Sequence, residues 1–194
     1  VELDDLLGRD PVDLDSAGLA LMLEHKVVLV TGAGGTIGGE LCRQVARRGP
    51  SMLVLYEQSE YALYQSEQAL SLQFPGLSLR CVIGDVKDQS RLDSVFARYR
   101  PNVVFHAAAF KHVPLTEQEN AWVAVQNNTL GTLRIAQACE RHGVEKIVFI
   151  STDKAVNPTN VMGATKRFAE MLLQRWAQRS NIPTVIVRFG NVLG

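Results

Sequence analysis

Cysteine is scarce: Cys42, Cys81 and Cys139 are three in 194 residues, odd in number and far apart, so neither a disulfide framework nor a zinc site is indicated, and no metal is expected. A reducing, cytosolic setting is the expectation. Long hydrophobic runs are missing too. Stretches such as Ala17 to Leu23, which contains a glycine, stop far short of the roughly 20 residues that span a bilayer, so this segment is expected to make no membrane contact. Neither sign of charge is in excess, with 20 Lys+Arg against 20 Asp+Glu, so no whole-molecule field draws in nucleic acid or an anionic surface. Internal repeats and low-complexity tracts are lacking. What remains is ordinary globular usage, 46% apolar and 7% aromatic, of a length that suits one domain. The chain opens on Val1 and stops at Gly194, just after an apolar run, which reads as an excerpt of a longer protein.

Short apolar runs alternate with longer segments of helical period. Val27 to Val30, Leu53 to Tyr56, Leu79 to Ile83, Val103 to Phe105, Ile147 to Ile150 and Thr184 to Val187 suit strands buried on both faces. Between them, Ile37 to Arg48, Glu60 to Gln73, Gln89 to Arg98, Glu117 to His142 and Gly163 to Arg179 return apolar residues every three or four positions and read as crossover helices. Strict alternation with right-handed crossovers gives an α/β fold, a doubly wound parallel (Rossmann) sheet in the order 3-2-1-4-5-6. Residues 1–24 stand outside this rhythm. They are expected to form an N-terminal arm whose leucines pack on the sheet domain of residues 25–194, with Gly8 to Pro11 as a turn.

The first chemical signal is Thr31-Gly32-Ala33-Gly34-Gly35-Thr36-Ile37-Gly38, between the first strand and the first helix. Gly32 permits the tight turn, Gly35 lets a pyrophosphate approach the backbone, and Gly38 lets the helix sit close on the sheet. Free N–H groups at the helix start, around Thr36 and Ile37, hold the anion. Glu57, at the end of the second strand and 19 residues past Gly38, can accept both adenosine ribose hydroxyls and repel a 2′-phosphate, so NAD is favoured over NADP. Gly84-Asp85-Val86 follows strand three, where Asp85 either meets the adenine amino group or caps a turn. Ala107, Ala108 and Ala109 follow strand four and leave room for a dinucleotide across the sheet edge. His106 reads as structural, because nothing nearby in sequence would orient it as a catalyst.

Ser151-Thr152-Asp153-Lys154 lies just past strand five, and Met162-Gly163-Ala164-Thr165-Lys166 opens the next helix with Met162 and Lys166 on one face. With TGxxGxxG, the Ala-rich end of strand four and Asn128 in Asn128-Thr129-Leu130-Gly131-Thr132, the chain resembles an extended short-chain dehydrogenase/reductase. Lys111-His112-Val113-Pro114, Asn157 to Lys166 and Arg188 to Gly194 narrow the resemblance. The chain is similar to the UDP-N-acetylglucosamine 4,6-dehydratases of bacterial polysaccharide and glycan biosynthesis, over nearly its whole length. One position departs from the superfamily pattern: the tyrosine of YxxxK is Met162, while the lysine survives as Lys166. The larger, membrane-anchored dehydratases of this group carry Met there and are associated with retention at sugar C5.

The resemblance implies NAD as cofactor, a UDP-sugar as substrate and a cycle of oxidation at C4, loss of the C6 hydroxyl and reduction at C6. By analogy Thr152 bonds O4, Lys154 takes the C5 proton and Asp153 acts as acid at C6; with Met162 in place of tyrosine, Asp153 or a water held by it accepts the C4 hydroxyl proton. Lys166 holds the nicotinamide ribose and Asn128 belongs to the cofactor site. Asn191 is aimed at the substrate diphosphate. Lys111 and His112 either add to the substrate site or form a solvated turn before Pro114. The resemblance also implies a substrate-binding part after residue 194, a membrane-anchored parent with this domain on the cytosolic side, and a possible homo-oligomer. A 4-epimerase or reductase, and a non-catalytic NAD-binding module, are the competing readings.

Overall fold

The structure, a computed structural model, describes residues 15–190. Six strands, β1 (Val27–Thr31), β2 (Met52–Glu57), β3 (Leu79–Ile83), β4 (Val103–His106), β5 (Lys146–Thr152) and β6 (Thr184–Phe189), form one parallel sheet in the order 3-2-1-4-5-6, as the alternation predicts. Around it lie α1 (Ser16–Leu23), α2 (Thr36–Ala46), α3 (Glu60–Gln73), α4 (Gln89–Tyr99), α5 (Val113–Glu117), α6 (Ala121–Ala124), α7 (Gly131–Arg141) and α8 (Val161–Ser180). Local chemistry starts several of them: Asp15 accepts from the Gly18 N–H at 2.9 Å, Asp88 from Arg91 at 2.9 Å and Asn160 from Gly163 at 2.7 Å.

Pleating sends alternate strand residues to opposite faces. Val28, Val30, Leu53 and Leu55 pack with Cys42, Val45, Leu63 and Leu70 on one side of the sheet. Leu29, Val54, Tyr56 and Val104 meet Leu92, Phe96, Ile135 and Cys139 on the other. Each central strand is therefore apolar throughout, because both its faces are covered. Burial raises the thiol pKa of Cys42 and Cys139, and of Cys81 to about 11, so all three act as small apolar side chains.

Two expectations need adjustment. Of the N-terminal arm, residues 1–14 lie outside the described residues; in α1, Leu23 is buried in the core and Met22 packs beside it, whereas Leu21 is exposed. The long helix expected over Glu117 to His142 begins later than expected: α5 ends at Glu117, and α6, a π-helical stretch over Val125–Leu130 and α7 then run on without a gap from Ala121 to Arg141, widened at the π-helical stretch. The cause is polar. Asn127, Asn128 and Thr129 are buried on that stretch, and Asn128 reaches across to the backbone of Phe110, which the regular helical ladder does not accommodate.

Candidate active site

All parallel strands end on the same edge, and two adjoining cavities open there. The smaller, about 240 Å³, is lined by the glycine-rich turn together with Tyr56, Glu57, Gly84, Val86 and Ala107 to Ala109. Gly32 has φ +66°, and a Cβ there would stand 2.7 Å from the Ala108 nitrogen. Gly35 is the N-cap of α2 and supplies no side chain to the helix start, so the first N–H groups of α2, on Thr36, Ile37 and Gly38, lack intrahelical partners and face the cavities. Gly38 fits more tightly than expected, and against a different neighbour: an added Cβ would lie 1.9 Å from the Gly32 carbonyl oxygen, so the helix closes on its own turn rather than on the sheet.

Glu57 is buried at the end of β2, its carboxylate accepting from the Gly34 N–H at 3.1 Å and the Ser59 N–H at 3.0 Å. These bonds aim a negative charge at the rim of the smaller cavity. Asp85 does not line that cavity. Its carboxylate accepts from the Lys87 N–H at 2.8 Å and pairs with Lys87 Nζ at 2.6 Å, so the capping alternative is the one seen.

The larger cavity, about 850 Å³, brings together Lys111, His112, Thr152, Lys154, Met162 and Lys166 with apolar walls from Phe110, Leu115, Ile150 and Phe189. Met162 and Lys166 share a face, as their spacing predicts. Lys166 is buried, donates to the Ile150 carbonyl at 2.6 Å and sits 4.0 Å above the Phe149 ring; burial lowers its pKa to about 7, against an opposing pull from the Glu170 carboxylate. Thr152 donates to Asp153 at 3.0 Å and accepts from the Lys154 N–H at 3.3 Å, while Lys154 Nζ reaches the same Asp153 oxygen at 3.3 Å. The hydroxyl of Thr152 first, then Lys154, holds the Asp153 carboxyl below its ordinary range, so the group is ionised near neutral pH.

Asn128 lies behind the wall rather than in it. Its side chain accepts from the Phe110 N–H at 2.8 Å and donates to the Phe110 carbonyl and the Thr165 hydroxyl at 3.0 Å each, which fixes the segment leading to Lys111. His106 is buried between Thr31, 2.7 Å from Nδ1, and Thr132, 3.0 Å from Nε2. Because the Thr132 hydroxyl already donates to the Asn128 carbonyl, Nε2 carries the ring proton and Nδ1 accepts from Thr31. Burial first, then the Lys166 charge, pushes its pKa down to about 3, and the structural reading of His106 holds. Asn191 lies outside the described residues.

Sequence reasoning missed Glu170, which binds Ser151, Arg167 and Arg188. Its signal was available: four residues past Lys166, it is an acid among the inward positions Met162, Lys166, Ala169 and Leu173 of α8.

Together the sheet edge, the tight glycine turn and the paired cavities define a Rossmann dinucleotide-binding domain of the extended short-chain dehydrogenase/reductase type. Residues 28–194 match the polysaccharide biosynthesis protein family, and the chain belongs to it. It is 49% identical over its full length to the capsular polysaccharide biosynthesis protein CapD of Staphylococcus aureus, covering 33% of that protein. It is 34% identical to a UDP-N-acetylglucosamine 4,6-dehydratase (inverting) of Campylobacter jejuni, with 89% of this chain and 51% of that protein aligned. The crystal structure of UDP-glucose 4-epimerase from Brucella ovis in complex with NAD superposes with a TM-score of 0.73 at 26% identity, over 86% of this chain and 52% of that one. The chain thus spans between a third and about half of these relatives.

Proposed function

We propose that this chain is the NAD-binding and catalytic half of a nucleotide-sugar 4,6-dehydratase that converts UDP-N-acetylglucosamine into its 4-keto-6-deoxy derivative. The observation that carries the reading is the Thr152-Asp153-Lys154 cluster, hydrogen-bonded within itself, of which Thr152 and Lys154 line the larger cavity together with Met162. The residues fit NAD: a turn closed so tightly at Gly32 and Gly38 that neither has room for a Cβ, open N–H groups on Thr36 and Ile37 for the pyrophosphate, Glu57 for the adenosine ribose and Lys166 for the second ribose. When bound, NAD supplies the acceptor and later the donor of one hydride, and so ends unchanged.

The chain's own groups handle protons. Thr152 bonds the sugar O4, and ionised Asp153 accepts the C4 hydroxyl proton, the work a tyrosine would otherwise do. A ketone at C4 acidifies the C5 hydrogen, which Lys154 removes as the neutral amine, its ammonium proton having passed to solvent beforehand. Asp153 then returns its proton to the departing C6 hydroxyl, so that water leaves, and Lys154 reprotonates C5 as C6 is reduced. Phe110, Leu115, Ile150 and Phe189 provide an apolar wall that limits water around the reactive ketone. Lys111 and His112, which line the same cavity, are assigned to the sugar nucleotide. On this reading the domain belongs to a longer, membrane-anchored protein and works at the cytosolic side. A 4-epimerase reading is disfavoured by Met162, because a thioether cannot take the hydroxyl proton that epimerases give to tyrosine.

The test is product analysis of a longer protein containing this domain, supplied with UDP-N-acetylglucosamine. A product that has lost one water and gained a carbonyl supports dehydration. A C4 epimer of unchanged mass would overturn it.

A further inference from the structure

Helix α8 grips the end of β5 twice. Lys166 Nζ donates to the Ile150 carbonyl at 2.6 Å, and one turn later Glu170, with no exposed surface, accepts from the Ser151 hydroxyl at 2.7 Å. The same carboxylate receives the Arg188 fork, Nε at 2.9 Å and Nη2 at 2.7 Å, one bond to each oxygen. Arg167 adds a contact from within α8 at 3.1 Å. Ser151 and Arg188 are direct register partners across β5 and β6, so one carboxylate holds both side chains of a cross-strand pair. The next pair is Thr152 and Phe189, both of which line the larger cavity.

A buried ion pair is a poor choice if stability is all that is needed, since well-packed apolar residues often do as well. What it adds is direction, because a guanidinium fork and a hydroxyl each meet a carboxylate in a narrow range of geometries. Burial pushes the Glu170 carboxyl up, but Arg188, Ser151 and Arg167 outweigh it and hold the group ionised, below its ordinary range. Apart from its ladder with β5, the end of β6 has this carboxylate as its anchor: β6 is an edge strand among the described residues, and Arg188 and Phe189 are exposed beyond their contacts. Just past them, a Cβ on Gly190 would come within 3.7 Å of an Asp153 carboxylate oxygen, so the two strand ends face each other at van der Waals range.

We propose that Glu170 is a positioning residue, which ties the ends of β5 and β6 to the helix of Lys166 and so sets where Thr152, Asp153 and Lys154 stand relative to Phe189 and Gly190. That these are the residues to be positioned rests on the dehydratase reading above. The tether itself does not.

Three variants separate tethering from general support. Ser151→Ala removes only the β5 link, Glu170→Gln removes the charge at constant size, and Arg167→Gln removes a charge from the cluster without touching either strand. Amide hydrogen exchange of residues 152–156 and 188–190 is expected to speed up about tenfold or more in the first two and to stay near the parent rate in the third. In the longer protein, Ser151→Ala is expected to lower kcat about tenfold while the KM for the sugar nucleotide and the NAD affinity hold, and Ser151→Thr to restore it. If Glu170→Gln fails to fold, Ser151→Ala alone decides. Unchanged exchange in Ser151→Ala, or equal effects from Arg167→Gln, would overturn the proposal. Exchange needs no turnover, so absence of a 4-keto-6-deoxy product from the unmodified protein would refute the dehydratase reading and leave the tether standing.

Discussion

Substituting Gly38 by alanine puts the cofactor cradle under direct strain. The new Cβ would stand 1.9 Å from the Gly32 carbonyl oxygen and 2.7 Å from its carbon, both backbone atoms that no rotamer change can move aside. Close carbon–oxygen contacts lie near 3.3 Å, so helix and turn must part by about 1.4 Å. Gly32 cannot retreat freely, since it holds φ +66° against the Ala108 backbone and donates its N–H to the Tyr56 carbonyl at 2.9 Å. Overpacking of this kind costs about 1–3 kcal/mol, and part of it falls on the N–H groups of Thr36 and Ile37 that are proposed to hold the pyrophosphate. NAD affinity should therefore drop about tenfold, the equivalent of 1.4 kcal/mol, together with a lower thermal midpoint. Gly49→Ala is the matching control: φ is +64° there too, but nothing lies within 4 Å, so only backbone strain of about 1 kcal/mol is expected and NAD binding should be untouched. Calorimetric titration of both variants checks this. Parent-like NAD affinity in Gly38→Ala would refute the assignment of the turn as the pyrophosphate cradle.

Because the Glu57 carboxylate is fixed by two backbone N–H groups at the rim of the smaller cavity, NAD should bind about tenfold more tightly than NADP, and equal affinities by calorimetry would remove Glu57 from ribose recognition. His106 is neutral when folded and binds a proton near pH 6.5 when unfolded, so stability should fall as pH drops from about 6.5 toward 3. At 1.36 kcal/mol per pH unit the loss is at most about 5 kcal/mol, and a ring that titrates near 6.5 by NMR in the folded protein would contradict this. In the longer protein, Lys154→Ala should abolish hydrogen exchange at sugar C5 with NAD binding intact, since its assigned role is proton transfer; retained exchange would exclude it from the mechanism.

The sheet was legible because each central strand is covered on both faces and each crossover shows its helical period, so a doubly wound parallel sheet followed from alternation and crossover hand, and its order from the common Rossmann pattern. The glycine turn and Glu57 were legible for a related reason, their chemistry being local to one strand–turn–helix unit. Asn128 shows where legibility ends. Its residue type was noticed, but its partners on Phe110 and Thr165 lie 18 and 37 residues away, and they widen a helix that periodicity alone draws as continuous. Glu170 differs: its place on the inner face of α8 was readable from its spacing, but its partners Ser151 and Arg188 come from two other elements and only the fold shows them. Asp85 was open between two roles until Lys87 was seen to occupy its carboxylate.

The central claim, dehydration by way of a 4-ketone, is tested most directly by turnover of UDP-N-acetylglucosamine in deuterium oxide by a longer protein containing this domain. Removal and return of the C5 hydrogen by Lys154 predicts solvent deuterium at C5 of a 4-keto-6-deoxy product, with the original C4 hydrogen delivered to C6. A product free of deuterium at C5, or a sugar changed only in configuration at C4, would contradict it.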